Sequence, residues 1–116
     1  MSLKANPDCK RYSVYYPNTI PIIYSLSDTT FPHNTYHVVY VYGDNFYPNK
    51  VTKLDFIGPN KTFEDVKYVL FTNKCISFII PNDAFSSTYS VRIKNVDYRQ
   101  TIPAYQYSNL VTYTLT

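Results

Sequence analysis

Between residues 88 and 95 the chain reads TYSVRIKN, with Tyr89, Val91 and Ile93 on one parity and Ser90, Arg92 and Lys94 on the other. A period of two marks a β-strand buried on one face and solvated on the other. The pattern recurs at 51–57 (VTKLDFI), where Leu54 and Phe56 oppose Lys53 and Asp55. At 75–80 (CISFII), Ile76, Phe78 and Ile80 alternate with Cys75, Ser77 and Ile79. In 36–42 (YHVVYVY), Val39 and Val41 share a face with His37, and Val38, Tyr40 and Tyr42 line the other. Runs at 20–26, 66–71 and 107–115 complete a set of about seven short strands, the last with Val111, Tyr113 and Leu115 on one face. Loops rich in Pro, Asn and Asp punctuate them roughly every 8–15 residues, which predicts two antiparallel sheets packed as a sandwich.

Other stretches read differently. Residues 61–70 are the least decided, because Phe63, Val66 and Leu70 also suit a helical turn. Residues 97–106 read as a loop. Residues 1–19 are polar and interrupted by Pro7 and Pro17, a leader or linker in which Tyr12–Tyr16 suits a short edge strand. The folded domain is expected over 20–116.

The chain has only two glycines, Gly43 and Gly58, and the first directly follows a strand. Gly43 is expected to turn the backbone through a positive φ, with Asn45 bonding to local backbone and Phe46 folding back beneath the sheet. Phe46, Phe56, Phe78, Val91 and Tyr113 then make a core that joins both sheets.

In order and spacing these segments resemble an IPT/TIG domain, the immunoglobulin-like fold of plexins and several transcription factors. The resemblance runs over 20–116. It rests on Pro21-Ile22-Ile23-Tyr24-Ser25-Leu26 as the opening strand, Gly43-x-Asn45-Phe46 as the turn, and Val51 to Phe56 as the third strand. Ile76 to Pro81, Tyr89 to Ile93 and Val111 to Tyr113 correspond to later strands. Where the family often carries paired glycines, this chain has Asn34-Thr35 before its second strand and Gly58 alone after its third. The resemblance implies an immunoglobulin-like β-sandwich and a role in protein–protein contact or domain spacing.

Composition reinforces the all-β reading. The chain of 116 residues is one-domain length and holds fourteen tyrosines, while two good helix formers are almost absent, with alanine only at 5, 84 and 104 and glutamate only at 64. The excess of Tyr, Asn, Ile and Lys over Gly, Ala and Arg resembles coding bias in an AT-rich genome, such as that of a large DNA virus or of some protists. A net charge of +3 with dispersed lysines and arginines lacks the basic stripe of a nucleic-acid binder. Cys9 and Cys75 are expected to be unpaired thiols. No stretch approaches the length of a membrane span, and the first residues lack the apolar core of a secretory signal.

Candidate chemistry is sparse. His33 and His37 invite a metal, but no third ligand stands at ligand spacing, so neither a metal site nor a cofactor is expected. Asp44 reads as a turn former, adjacent Glu64 and Asp65 diverge, and no serine has a nucleophile's context, so no catalytic residues are assigned. Tyr40 and Tyr42 face away from the core and form a candidate interaction surface. Arg92 and Lys94, with Arg99 nearby, form a small outward basic row, a second candidate surface. Asn60-Lys61-Thr62 is an N-glycosylation sequon in a loop.

The reading that results is a non-catalytic structural or protein–protein interaction module. It belongs to a larger surface, receptor-like or virion protein, and extracellular, cell-surface or virion location is favoured over nuclear. The expected partner is a protein or a neighbouring domain, with no specific nucleic acid. The alternatives are a nucleic-acid-associated or dimerisation domain of transcription-factor type, and a carbohydrate-binding accessory module stacking sugars on tyrosines.

Overall fold

A computed structural model describes residues 20–97 and 104–116. Ten strands follow one another: β1 Ile22–Leu26, β2 Thr30–Phe31, β3 Val38–Asp44, β4 Thr52–Ile57, β5 Thr62–Phe63, β6 Tyr68–Thr72, β7 Cys75–Ile79, β8 Ser87–Asp97, β9 Ala104–Tyr107 and β10 Val111–Leu115. No helix occurs among the described residues, so 61–70 is strand and loop and makes no helical turn. The leader, Tyr12–Tyr16, Cys9 and Arg99 lie outside the described residues.

The strands form two sheets, ordered β1-β3-β7-β6 and β2-β10-β8-β4-β5, with β9 also paired to β8. Every pairing is antiparallel except the short β2–β10 contact, which is parallel. Lettering the main strands in chain order gives A-B-E-D for the first sheet and a G-F-C core for the second, the strand order of an immunoglobulin-like sandwich. Tyr89, early in β8, donates its hydroxyl to the Phe85 carbonyl at 2.9 Å. That bond is the tyrosine corner common in this architecture.

The alternating residues meet between the sheets. Phe46, Phe56, Phe78, Val91 and Tyr113 are all buried in one cluster with Val39, Val41, Leu54, Ile76 and Ile93. Phe56 is its centre, stacked on Tyr89 at 4.4 Å and meeting Phe78 at 5.8 Å and Tyr113 at 6.2 Å between centroids. Such aromatic pairs add directional energy to area burial.

The region 97–106 departs from expectation, because Ala104–Tyr107 is a strand. Lys94 opposes Tyr107 and Val91 opposes Val111, so residues 108–110 face only Arg92 and Ile93. One residue is in excess, and the last strand is broken by a bulge into β9 and β10. Ser108 fills the break by donating its amide to the Ile93 carbonyl and accepting the Ile93 amide on Oγ, both at 2.8 Å. Asn109 spends its side-chain amide on the other sheet, accepting from Ile23 N at 2.9 Å and donating to Ile23 O at 3.0 Å.

Candidate interaction surface and the charged face opposite it

The turn after β3 is built differently from the sequence expectation. Gly43 does not have a positive φ; the left-handed residue is Asn45, at φ 66°. Asparagine tolerates that region better than most residues, but its side-chain amide does not bond local backbone as the sequence suggested; it reaches the chain 25 residues earlier. Its Nδ2 donates to Ile20 O at 2.9 Å, and its backbone amide donates to Asp44 Oδ1 at 2.9 Å. Gly43 is an inward position of β3 opposite Ile23, where a Cβ would collide with the Ile22 carbonyl and come within 2.6 Å of Phe46 Cζ. Glycine is needed there for close approach. Phe46 does fold beneath the sheet, and Asn95 Nδ2 donates to Asn45 O at 3.0 Å to tie the turn to β8. Asn34 is also left-handed at φ 59°.

Arg92 and Lys94 do lie on the outer face of their sheet, but they do not form a solvated row. Asp55, also outward by parity and fully buried, accepts on Oδ2 from Arg92 Nη2 at 2.7 Å and Lys94 Nζ at 3.1 Å. Asp65 approaches Lys94 Nζ at 3.4 Å, and its backbone amide donates to Asp55 Oδ1 at 3.1 Å. The register explains the cluster: Asp55 pairs directly with Arg92, and Lys53 with Lys94. β9 then lays Tyr107 over the Arg92 guanidinium at 4.4 Å and Tyr105 over the Lys94 ammonium at 4.7 Å. Burial pulls the Lys94 ammonium down, but the Asp55 and Asp65 carboxylates outweigh it and hold it above its ordinary value. Lys94 is left only 5% exposed. This withdraws it as a contact residue, and Arg92 keeps only part of its surface.

Tyr40 and Tyr42 stay outside. The register puts Val38, Tyr40 and Tyr42 opposite Ile79, Ser77 and Cys75, and Val69 opposite Ser77, so these side chains share one outer face. Both edge strands carry a bulge: β1 shifts register between Ile23 and Ser25, and β6 between Leu70 and Thr72. The extra residues are Tyr24, 66% exposed, and Phe71, 54% exposed and stacked on Tyr40 at 5.8 Å. Along β1, β3, β6 and β7 the only charged residue is Asp44, at the rim, where Lys74 Nζ donates to it at 3.2 Å and lowers its pKa. Beside the Tyr40–Phe71 stack the surface falls into a hollow of about 420 Å³, lined by Tyr36, Val38, Lys67, Val69, Ser77 and Ile79 among others.

The two histidines are taken up structurally. His37 stacks on Phe31 at 3.6 Å and meets Asp28 Oδ2 through Nε2 at 2.7 Å, while Tyr113 donates its hydroxyl to Asp28 Oδ1 at 2.9 Å. Burial, together with the Asp28 carboxylate, pushes the Tyr113 phenol well above its ordinary pKa. His33 Nδ1 lies 2.7 Å from Thr116 O. No group of three or more His, Cys, Asp or Glu suited to a metal occurs among the described residues. Cys75 is a free, half-buried thiol whose pKa burial raises. Among the described residues no helix is long and apolar enough to cross a membrane.

No protein-family model matches the chain, and no curated protein is significantly similar to it.

Proposed function

We infer that the chain is a non-catalytic protein–protein interaction module of IPT/TIG-like type, working within a larger surface, receptor-like or virion protein. The observation that carries this reading is the outer face of the β1-β3-β7-β6 sheet. It exposes Tyr24, Tyr40, Tyr42, Phe71 and Ile79 together, and its strands hold no charge except Asp44. Contiguous apolar surface of this kind marks interaction sites, and tyrosine suits them because its ring is both apolar and hydrogen-bonding. The IPT/TIG assignment is supported by the A-B-E-D strand order and by Phe46 packing beneath the Asn45 turn.

Against nucleic acid stands the commitment of Arg92 and Lys94 to Asp55, since phosphate binding needs cations free to displace counterions. Against sugar stands the chemistry of the aromatic face, whose strands hold no Asn, Gln or Arg and no acid but Asp44 to bond hydroxyls beside the rings.

A photo-crosslinking amino acid at Tyr40, compared with one at exposed Asn60, tests the reading in the source organism. Protein adducts at position 40 and few at position 60 are expected. Nucleic-acid adducts, or equal yields at both positions, would overturn it, as would sequence-selective duplex binding in an electrophoretic shift at physiological salt.

A further inference from the structure

We propose that the partner docks through an acidic segment: an extended stretch of another protein sets a large apolar side chain in the hollow of Val38, Val69 and Ile79 and an Asp or Glu carboxylate against Lys67 and Lys53. This deepens the interaction reading above and rests on it.

Two hollows meet at the start of β6. The larger, of about 420 Å³, has apolar walls in Val38, Val69 and Ile79. A second, of about 260 Å³, is lined by Asn49, Lys53, Asp65 and Val66. Lys67 and Tyr68 belong to the walls of both. The segment that separates the hollows is fixed from inside the molecule. Val66 donates its amide to Leu54 O at 2.8 Å, and the Tyr68 hydroxyl reaches Tyr47 O at 2.9 Å and Thr52 O at 2.8 Å. The hollows are therefore preformed, and an occupant does not have to order them. Small and open to solvent, they suit single side chains of a chain lying across Lys67 better than a buried cofactor.

Charge selects the occupant. Among the described residues Lys53 and Lys67 have no carboxylate within ion-pair distance, whereas Lys61, Lys74 and Lys94 each have one. Asp65, the one acid in these walls, turns its Oδ1 to Lys94 Nζ at 3.4 Å. Lys53 also stands directly opposite Lys94 across the β4–β8 pair, where like charges repel. A carboxylate beside Lys53 and Lys67 relieves that repulsion, and a cationic partner would add to it. At longer range the net charge of +3 steers an acidic partner in and a second copy away. A bare anion would meet the lysines and leave the apolar walls of the larger hollow uncovered. A chain carrying an apolar residue near an acid engages both, because Lys67 borders both hollows.

Panning a random heptapeptide library on the immobilised full chain at physiological ionic strength tests this. Selected sequences should combine a large apolar residue with Asp or Glu and be poor in Lys and Arg. The strongest of them, fluorescently labelled, then serves as the probe in anisotropy titrations. Lys53→Gln and Lys67→Gln should each weaken its binding about two- to fivefold, the range of a solvent-exposed ion pair. Val69→Asp should abolish binding by charging the apolar hollow, and Lys61→Gln, beyond the opposite end of β4, should leave it unchanged. Lys67→Glu should instead accept the same peptide with its acid replaced by lysine, a swap that a merely structural loss cannot produce. An unchanged circular dichroism spectrum verifies the fold of each variant. Failure to select any peptide, selection without acids, or indifference to both lysine variants overturns the proposal. Retention on phosphatidylserine-containing vesicles, or saturation by inorganic phosphate, with no peptide selected would assign the lysines to a membrane or a free anion and equally overturns it. Protein crosslinks from Tyr40 with no acidic peptide selected would leave the interaction reading standing while removing the acidic segment.

Discussion

The two sheets bury their inner faces alike and treat their outer faces in opposite ways. Outside β4 and β8, a buried carboxylate draws two cations inward and two tyrosines of β9 roof them. Outside β3 and β7 the strands themselves carry almost no charge, none of the described residues roofs the sheet, and the tyrosines point to solvent. The same residue type thus serves opposite ends. Tyr105 and Tyr107, themselves 41% and 48% exposed, cover charged groups, whereas Tyr40 and Tyr42 stand on strands with almost no charge. A closed polar network binds a domain to itself, while open aromatic surface is available to something else.

That contrast is breakable by mutation. The largest effect should come from Asp55→Ala, which leaves Arg92 and Lys94 facing each other without their shared counterion. Breaking a buried ion pair from one side costs about 3–5 kcal/mol, which urea unfolding would measure. A loss under about 1 kcal/mol would mean that the network is solvated after all. Next comes Gly43→Ala. Its methyl meets the Ile22 carbonyl, which the backbone can avoid only by shifting β1 from β3, and overpacking of this kind costs about 1–3 kcal/mol.

A pH titration sharpens the same comparison. The Lys94 pKa is raised in the fold, so its stabilisation is complete below its unfolded value and fades as pH climbs through the folded one. Tyr68, whose hydroxyl donates to Tyr47 O at 2.9 Å and Thr52 O at 2.8 Å, is pushed up to about 12 by burial and has the same sign. Tyr113 is raised as well. The thermal midpoint should therefore fall steadily above about pH 10, where tyrosine and lysine begin to ionise in the unfolded chain. A flat profile to pH 12 would contradict these assignments. The smallest effect belongs to the open face. Tyr24→Ser should change stability by no more than about 0.5 kcal/mol, as a surface site without structural partners does.

Much of this was legible in the residues, and the failures are instructive. Alternation placed Phe56, Phe78, Val91 and Tyr113 in one core because each strand has a dry face and a wet one. It also ranked Asp55, Arg92 and Lys94 as outward, which is correct in parity and wrong in burial. Parity says which way a side chain points and nothing about what covers it. The cover is β9, hidden because the bulge at 108–110 breaks the two-residue rhythm of the last strand. The assignment of left-handed backbone to Gly43 failed for a related reason. Gly43 continues the inward series Val39, Val41, so a space argument was present in the pattern, and Asn45 was the residue able to take φ 66°. The aromatic face was half visible: Tyr40 and Tyr42 followed from alternation, whereas Tyr24 and Phe71 reach it only through bulges that leave no period in the sequence.

Which face is sealed and which stands open is decided most directly by chemical footprinting of the native full chain. Lys94 should be acylated far more slowly than exposed Lys74, while Tyr40, Tyr42 and Phe71 are oxidised readily by hydroxyl radicals. A Lys94 that reacts as fast as Lys74, or a Tyr40 and Phe71 that resist oxidation, would contradict the account.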